Sequence, residues 1–163
     1  MLGMYIVLFA SILPWKAYAQ DISDIAETAK QITVRIEGAT QGSGVLISSN
    51  KDKYTVLTAW HVLESNREGE EIDIITYDGV MHQGRFVKRT DVSSKVDTGT
   101  IQFTSGKKYT SVNLASKDQG SIGSTIFVAG FPIPKFNDNK IQLMITTGDL
   151  IANASVYMDK GYQ

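Results

Sequence analysis

His61 is well suited to proton chemistry, and the residues around it predict where it lies. Residues 42–48 and 54–63 are apolar, β-prone runs separated by the polar residues 49–53, which is the pattern of a β-hairpin. The second run carries His61 towards its end, so the hairpin is predicted to deliver an imidazole to its open end. Because an imidazole gains and loses a proton near neutral pH, the question for the rest of the chain is which partners it supplies.

The other histidine, His82, gives no indication of a metal site. The two histidines are far apart in the sequence, no His-x-x-x-His pair occurs, and the chain contains no cysteine. Zinc sites are commonly built from such ligands at short spacings, so we expect neither a metal ion nor another cofactor. His82 lies in the polar stretch 80–83 and is predicted to be exposed.

The composition is that of an ordinary globular protein. The 163 residues suffice for one domain or two small half-domains. Hydrophobic residues make up 42% of the chain and charged residues 20%, which excludes a disordered chain or a coiled coil. The net charge of −1 provides no strong field for a nucleic acid or an anionic membrane, so we expect no nucleic-acid partner.

Residues 1–19 have the features of a signal peptide. Residues 1–15 carry no charged side chain, and the small residues Ala17 and Ala19 have the spacing that signal peptidase requires. We therefore predict cleavage before Gln20 and export to the periplasm or the extracellular space, with no stable membrane span afterwards. The alternative is an uncleaved membrane anchor, for which the apolar run is short. Without cysteine the exported chain forms no disulfide, so its core must provide its stability.

The remainder of the chain alternates short strands with turns. Residues 21–31 place apolar side chains on one face and predict a short amphipathic helix. Alternating or continuous apolar runs predict six strands, at residues 32–36, 42–48, 54–63, 72–77, 84–88 and 100–103. Six strands with short turns and no long helix among them indicate an all-β fold, an antiparallel barrel or sandwich.

A second, smaller β-region follows the loop-like residues 107–120. Strands are predicted at residues 124–130, 141–147 and 149–152, the last two separated by Gly148. So few strands form a marginal sheet with open edges, so the chain is predicted to contain one complete barrel and part of a second. The predicted divisions are the signal peptide (1–19), the first barrel with its short helix (20–115) and the partial second barrel (116–163).

Several segments together carry a recognisable pattern. Residues 42–47 read Gly-Ser-Gly-Val-Leu-Ile, and residues 56–62 read Val-Leu-Thr-Ala-Trp-His-Val. Residues 96–103 read Val-Asp-Thr-Gly-Thr-Ile-Gln-Phe, and residues 128–132 read Val-Ala-Gly-Phe-Pro. Over most of residues 30–150 the sequence resembles the trypsin-like serine proteases of the chymotrypsin fold, bacterial type. The resemblance implies a six-stranded antiparallel barrel followed by a second barrel, here incomplete.

The resemblance also implies roles for His61 and Asp97. His61 would take the proton of a serine hydroxyl, and Asp97 would hold the imidazole in the required tautomer and stabilise the imidazolium. Asp91 is the alternative orienting acid, and Asp97 is preferred because residues 101–103 keep the strand in register behind it. Trp60 stands where the family usually has an alanine.

The small residues Gly42, Ser43 and Gly44 are given a structural role by the same resemblance. In the family, small residues at these positions let the strand turn past the site. Ser43 is therefore not expected to be a nucleophile, although it lies between two glycines.

The family's nucleophile segment, Gly-x-Ser-Gly-Gly-Pro, does not occur in the 163 residues. Ser121 precedes the second β-region and lacks the paired glycines after it, and Ser155 has no glycine beside it. The chain is therefore predicted to be truncated before the catalytic serine. As written, it is not expected to cleave peptide bonds, because the nucleophile and the oxyanion hole are both missing.

Two functions remain open from the sequence. One is a serine endopeptidase that acts on peptides or proteins and is inactive until the missing segment is supplied. The other is a protease-like module without catalysis that binds a peptide or protein along a strand edge. In either case the incomplete second barrel is expected to expose Ile141, Leu143 and Ile145, and therefore to self-associate or to bind a complementing chain. No residue identifies a substrate pocket.

Overall fold

The computed structural model describes residues 15–67, 69–89, 97–116, 120–133 and 141–151. Most of their regular structure is β-sheet, which confirms the predicted all-β class. In chain order the elements are α1 (Trp15–Ile32), β1 (Thr33–Glu37), β2 (Gln41–Asn50), β3 (Lys53–Thr58), α2 (Trp60–Leu63), β4 (Glu71–Ile75), β5 (Met81–Arg89), β6 (Gly99–Thr104), β7 (Thr125–Gly130) and β8 (Met144–Asp149).

Strands β1 to β6 close into a barrel in the order β1-β2-β3-β6-β5-β4, which confirms the predicted six-stranded antiparallel barrel. Alternate residues point inwards, as the period of two in a strand requires, so that Val34 and Ile36 of β1 are fully buried. Each fully buried aliphatic side chain contributes about 1.5–3 kcal/mol of transfer free energy. The buried apolar core consists of Val34, Ile36, Leu46, Tyr54, Val56, Val62, Leu63, Ile72, Ile74, Ile101, Phe103 and Tyr109.

The hairpin of β2 and β3 differs from the prediction at its open end. β3 ends at Thr58, and His61 lies in the helical turn α2 instead of at the end of a strand. The consecutive residues Val62 and Leu63 are both buried against the barrel core. A strand would point one of the two outwards, whereas a helical turn places both on the core, which explains why the apolar run leaves the strand.

The segment 105–112 follows β6 and packs against the end of β3 that is distant from α2. The backbone N–H of Tyr109 donates to the Tyr54 hydroxyl (3.1 Å), which in turn donates to the carbonyl of Lys107 (3.1 Å). The N–H of Val112 donates to the carbonyl of Leu46 (2.9 Å). The described part of the predicted loop contains no helix or strand, so these bonds from the barrel fix its path.

His82 is partly buried in β5, so the prediction that it is exposed is wrong. Its ring stacks on Phe103 with centroids 4.7 Å apart, and its Nε2 lies 2.9 Å from the hydroxyl of Tyr109. Tyr109 belongs to the segment 105–112. The polar residues beside His82 in the sequence therefore gave no sign of the aromatic side chains that cover it.

β7 and β8 form a separate two-stranded antiparallel sheet. Gly148 pairs with Ile126 inside β8, so the prediction of two strands separated by Gly148 is wrong over residues 144–151. A glycine adopts extended backbone without strain, and the ladder continues through it. Ala152, at the end of the predicted last strand, lies outside the described residues.

The three apolar residues that the sequence predicted to be exposed are partly covered. Ile141, Leu143 and Ile145 are partly buried and line a groove together with Tyr77 and Phe131. The other face of the sheet is the exposed one: Ile126 retains 40% of its accessible surface, Val128 58% and Met144 53%. Paired residues of an antiparallel ladder share a face, so Gly130 opposite Met144 and Gly148 opposite Ile126 belong to it too.

Helix α1 is longer than predicted and begins at Trp15, so it includes the predicted cleavage point before Gln20. Near its C-terminal end, Ala29 and Ile32 line a groove with Phe127 of β7, which places the helix beside both sheets. No helix in the described ranges is both long and apolar enough to cross a membrane. Residues 1–14 lie outside the described residues, and cleavage and export remain predictions.

Candidate active site

The antiparallel register of β3 and β6 brings α2 next to the residues that precede β6. Thr58, the last residue of β3, pairs with Gly99, the first residue of β6. The chain leaving β3 turns directly into α2, which carries His61, while Asp97 lies just before Gly99. Two residues that are 36 positions apart in the sequence therefore meet at one end of the barrel.

Asp97 contacts His61 through both of its carboxylate oxygens. Oδ1 accepts a hydrogen bond from the backbone N–H of His61 at 2.8 Å. Oδ2 lies 2.5 Å from Nδ1 of the imidazole. A carboxylate is only an acceptor, so the proton of the neutral ring lies on Nδ1 and Nε2 carries the free lone pair. The backbone bond fixes the carboxylate in place, and the second bond orients the ring.

The two side chains differ in their exposure to solvent. The side chain of His61 retains 64% of its accessible surface, whereas that of Asp97 retains 25%. The carboxylate is therefore the sheltered member of the pair, and the imidazole is accessible from outside. A neutral imidazole held in this way can accept a proton at Nε2, and the carboxylate then stabilises the imidazolium that forms.

Two side chains that the sequence analysis did not identify hold the C-terminal end of α2. The hydroxyl of Thr40, in the turn between β1 and β2, donates to the carbonyl of Val62 at 2.7 Å. The side-chain amide of Asn66 lies 3.3 Å from the carbonyl of Leu63. The last carbonyls of any helix need such partners, so a polar residue just beyond α2 was a usable signal, but nothing local identified Thr40.

Ser43 connects the barrel to the second sheet. Its hydroxyl accepts a hydrogen bond from the backbone N–H of Phe131, just after β7, at 2.7 Å. Its carbonyl accepts one from the hydroxyl of Thr58 at 2.8 Å. Ser43 therefore joins the strand beside α2 to the residues that follow β7.

The remaining site candidates lie elsewhere. Ser121 is in the turn before β7, where its carbonyl accepts from the N–H of Ser124 at 3.0 Å. Asp91 and Ser155 lie outside the described residues. The described residues contain no cluster of three or more His, Cys, Asp or Glu side chains that could hold a metal ion.

Comparison with known protein families identifies one that spans the site. A family model of the trypsin-like peptidase domain matches residues 42–161, which include all but the first residue of β2, and α2, Asp97 and the second sheet. A search of curated proteins found no significant match. The matched region covers well over half of the chain and contains β3 to β8 and the paired His61 and Asp97. The chain therefore belongs to the trypsin-like peptidase domain family.

Proposed function

We propose that His61 and Asp97 are the general base and the orienting acid of a serine endopeptidase site. The observation that supports this is the two-point contact, in which Asp97 binds both the backbone N–H and the Nδ1 of His61. A carboxylate that merely neutralised a surface histidine would not need to be anchored to the backbone of the same residue. The backbone hydrogen bond fixes the carboxylate of Asp97, and the fixed carboxylate orients the imidazole ring. A base that must meet a bound substrate requires such a fixed orientation.

In this site the proton follows one route. A serine hydroxyl within about 2.6–3.2 Å of Nε2 transfers its proton to the imidazole as its oxygen attacks the carbonyl carbon of the substrate. Asp97 stabilises the imidazolium, and the imidazolium then donates the proton to the departing amine as the peptide bond breaks. The substrate class is a peptide or protein, because the reacting group is an amide carbonyl.

We also propose that residues 1–163 alone do not hydrolyse peptide bonds. The Gly-x-Ser-Gly-Gly-Pro segment is absent from their sequence, and Ser43 is engaged with Phe131. Loss of one oxyanion-hole donor costs about 3 kcal/mol of barrier, and loss of the nucleophile costs about a million-fold in kcat. In this proposal, residues 1–163 supply the base and the orienting acid but no nucleophile segment.

Labelling with a fluorophosphonate probe tests this proposal. The reagent phosphonylates an activated serine, so the purified chain is expected to remain unlabelled, as is its His61→Ala variant. Stoichiometric labelling of the chain that is lost in His61→Ala would overturn the proposed inactivity. It would also show that a serine within residues 1–163 is activated by His61.

The reading frame downstream of the codon for Gln163 tests the endopeptidase assignment. A Gly-x-Ser-Gly-Gly-Pro segment encoded there, in any of the three frames, would supply the nucleophile and support the assignment. A protein that includes it is expected to hydrolyse peptides, and Asp97→Asn should lower its kcat by about 10⁴-fold. A decrease of less than tenfold would show that Asp97 is not the orienting acid.

A binding module is the second candidate, favoured by the missing nucleophile segment. Every barrel strand pairs on both of its edges, so within the described residues a peptide could extend a sheet only along the outer edges of β7 or β8. Unrelated sequence beyond Gln163, together with peptide binding that Asp97→Asn does not alter, would support this candidate.

We further propose that the chain is exported and cleaved before Gln20. The support comes from the uncharged residues 1–15 and from Ala17 and Ala19 ahead of the cut. Expression in a bacterial host followed by mass spectrometry of the exported protein should give a chain that begins at Gln20. A chain that retains residues 1–19 in the membrane fraction would show an uncleaved anchor.

A further inference from the structure

The helical turn α2 is too short to be stable on its own. It has four residues, whereas an isolated helix shorter than about 12–15 residues is marginal in water. The side chain of its N-cap residue, Ala59, makes no capping hydrogen bond. A helix leaves its first N–H groups and its last carbonyls without internal partners. Contacts with other parts of the chain must therefore hold the two ends of α2.

Asp97 holds the N-terminal end of α2, and Thr40 and Asn66 hold the C-terminal end. Asp97 accepts a hydrogen bond from the backbone N–H of His61 at 2.8 Å. At the other end, the hydroxyl of Thr40 donates to the carbonyl of Val62 at 2.7 Å. The side-chain amide nitrogen of Asn66 lies 3.4 Å from the same carbonyl, so Thr40 and Asn66 share one acceptor.

Thr40 and Asn66 also connect α2 to the turn between β1 and β2. Thr40 belongs to that turn, and Oδ1 of Asn66 accepts from the backbone N–H of Ala39 in the same turn at 3.0 Å. Asn66 therefore bridges the turn and α2 with the two ends of its amide group. Both side chains are partly buried, so water replaces their hydrogen bonds less readily than on an open surface.

We infer that Thr40 and Asn66 are positioning residues, which fix the turn that presents His61 to Asp97. The side chain of His61 keeps 64% of its accessible surface, so neighbouring side chains do not enclose its ring. The orientation of the ring depends on the backbone of α2 and on the bonds to Asp97. Opening of α2 at its C-terminal end would weaken both of those bonds together.

This inference rests on the proposed function for its importance to catalysis, but its test does not need activity. The protein is labelled with ¹⁵N, and two signals of His61 are followed by NMR: hydrogen exchange of its backbone amide and the resonance of its Nδ1–H. Both protons are donated to Asp97, and neither is donated to Thr40 or Asn66. Core amides such as that of Ile74 report whether the barrel itself remains folded.

Thr40→Val keeps the shape of the side chain and removes only its hydroxyl. It is expected to accelerate exchange of the His61 amide about fivefold and to weaken the Nδ1–H signal, while the amide of Ile74 stays protected. Thr40→Ser retains the hydroxyl and should give both signals as in the wild-type protein. Identical His61 signals in Thr40→Val and Thr40→Ser would overturn the inference.

The double variant Thr40→Val/Asn66→Ala tests whether the two residues act together. Asn66→Ala alone should have a small effect, because the Thr40 hydroxyl still occupies the carbonyl of Val62. The double variant removes both side-chain partners of that carbonyl, so its effect should exceed the product of the single effects. An effect no larger than that of Thr40→Val alone would overturn the role of Asn66. If the double variant unfolds, the comparison of Thr40→Val with Thr40→Ser decides.

Thr104→Val is the matched control for loss of a threonine hydroxyl. Thr104 is exposed and pairs with Lys53, at the end of β3 that is distant from α2. The substitution should leave both signals of His61 unchanged. If it alters them as much as Thr40→Val does, the effect is not specific to α2 and the inference is wrong.

Asp97→Asn separates this inference from the proposed function. It is expected to abolish the Nδ1–H signal. If the signal persists in Asp97→Asn, the His61–Asp97 contact is wrong and the proposed function fails with it. If Asp97→Asn abolishes the signal and the variants of Thr40 and Asn66 leave it unchanged, only the role of these two residues is wrong.

Discussion

Tyr54 makes contacts through both its aromatic ring and its hydroxyl group. The side chain is 1% exposed, and its ring stacks on Phe103 with centroids 5.2 Å apart. The hydroxyl accepts from the N–H of Tyr109 and donates to the carbonyl of Lys107, both at 3.1 Å. One phenol oxygen therefore satisfies two backbone groups of the segment 105–112 at the barrel end.

Tyr54→Phe is expected to lower the free energy of unfolding by about 1–3 kcal/mol, because it leaves a buried backbone N–H and a carbonyl without their partner. Urea denaturation at neutral pH measures the change. Tyr77→Phe, at a residue 44% exposed, is the control and should change stability by less than about 0.5 kcal/mol. Equal stability of the two variants would show that water replaces the Tyr54 bonds without cost.

At the scale of single residues, the resemblance to the trypsin-like family paired His61 with Asp97, and the two side chains are in contact in the structure. The sequence did not identify Thr40 or the burial of His82. Those contacts depend on residues of other elements that approach only when the barrel closes, and no local periodicity encodes them.

The turn between β4 and β5 is tied to the segment 105–112 by a charged network. Asp78 accepts hydrogen bonds from the Thr76 hydroxyl (2.6 Å) and the Lys107 ammonium (2.8 Å). Burial opposes ionisation of Asp78, but these bonds outweigh it and lower its pKa to about 2. The network extends to His82 through the Tyr109 hydroxyl. Burial lowers the pKa of His82, while the charge of Asp78 raises it and that of Lys107 lowers it.

The stability of this region should therefore depend on pH below neutrality. The pKa of His82 in the folded protein lies below its ordinary value of 6.5, so the unfolded chain binds the proton more readily. The contribution of neutral His82 is complete above about pH 6.5 and is lost as the pH falls towards the folded pKa. The contribution of Asp78 is present above its ordinary value of 3.8 and is lost only as the pH falls towards about 2.

Urea denaturation at about pH 7.5 and pH 5.5 tests the role of His82, because Asp78 stays ionised across that window. The wild-type protein should lose more stability over the window than His82→Gln, which cannot titrate. His61 remains in both proteins, so its contribution cancels in the comparison. An equal loss in the two would mean that protonation of His82 is not coupled to unfolding.

At the scale of elements, the sequence predicted all six barrel strands but not the turn α2. The run from Leu57 to Val62 has the composition of a strand, and only the core beneath it, which buries two consecutive residues, makes it helical. The sequence pattern also predicted a break between two strands at Gly148, because a glycine often ends a strand. Pairing with β7 keeps that residue in the ladder.

The whole molecule combines a closed barrel with an open two-stranded sheet. Among the strands that the structure describes, those of the barrel have no free edge, whereas β7 and β8 pair only with each other. The outward face of this sheet carries the exposed side chains of Ile126, Val128 and Met144. A two-stranded sheet is marginal on its own, and exposed apolar residues on such a sheet favour association.

We therefore expect the chain to self-associate through this face. Met144→Lys should shift the protein towards the monomer in light scattering over a concentration series, because a buried lysine without a partner is unfavourable. Met81→Lys is a closely matched control: Met81 is 55% exposed and Met144 53%, but Met81 lies on the barrel. A monodisperse wild-type monomer at high concentration would contradict the prediction.

At this largest scale the sequence predicted the barrel, the second sheet and their order. It did not predict which face of the second sheet is exposed, and it assigned exposure to Ile141, Leu143 and Ile145, which line the groove beside Tyr77 and Phe131. Alternation along a strand defines two faces, but only the position of the sheet relative to the barrel decides which of them is covered.

The position of β6 in the barrel has a consequence for the order of folding. β6 is the last of the six barrel strands in the sequence, yet it lies between β3 and β5, and only Thr98 separates Asp97 from its first residue, Gly99. The ring therefore cannot close until the chain has been synthesised through Thr104, and pairings over such sequence separations form slowly. Until β6 inserts, His61 has no carboxylate. We therefore expect closure of the barrel and formation of the His61–Asp97 contact to occur together during folding.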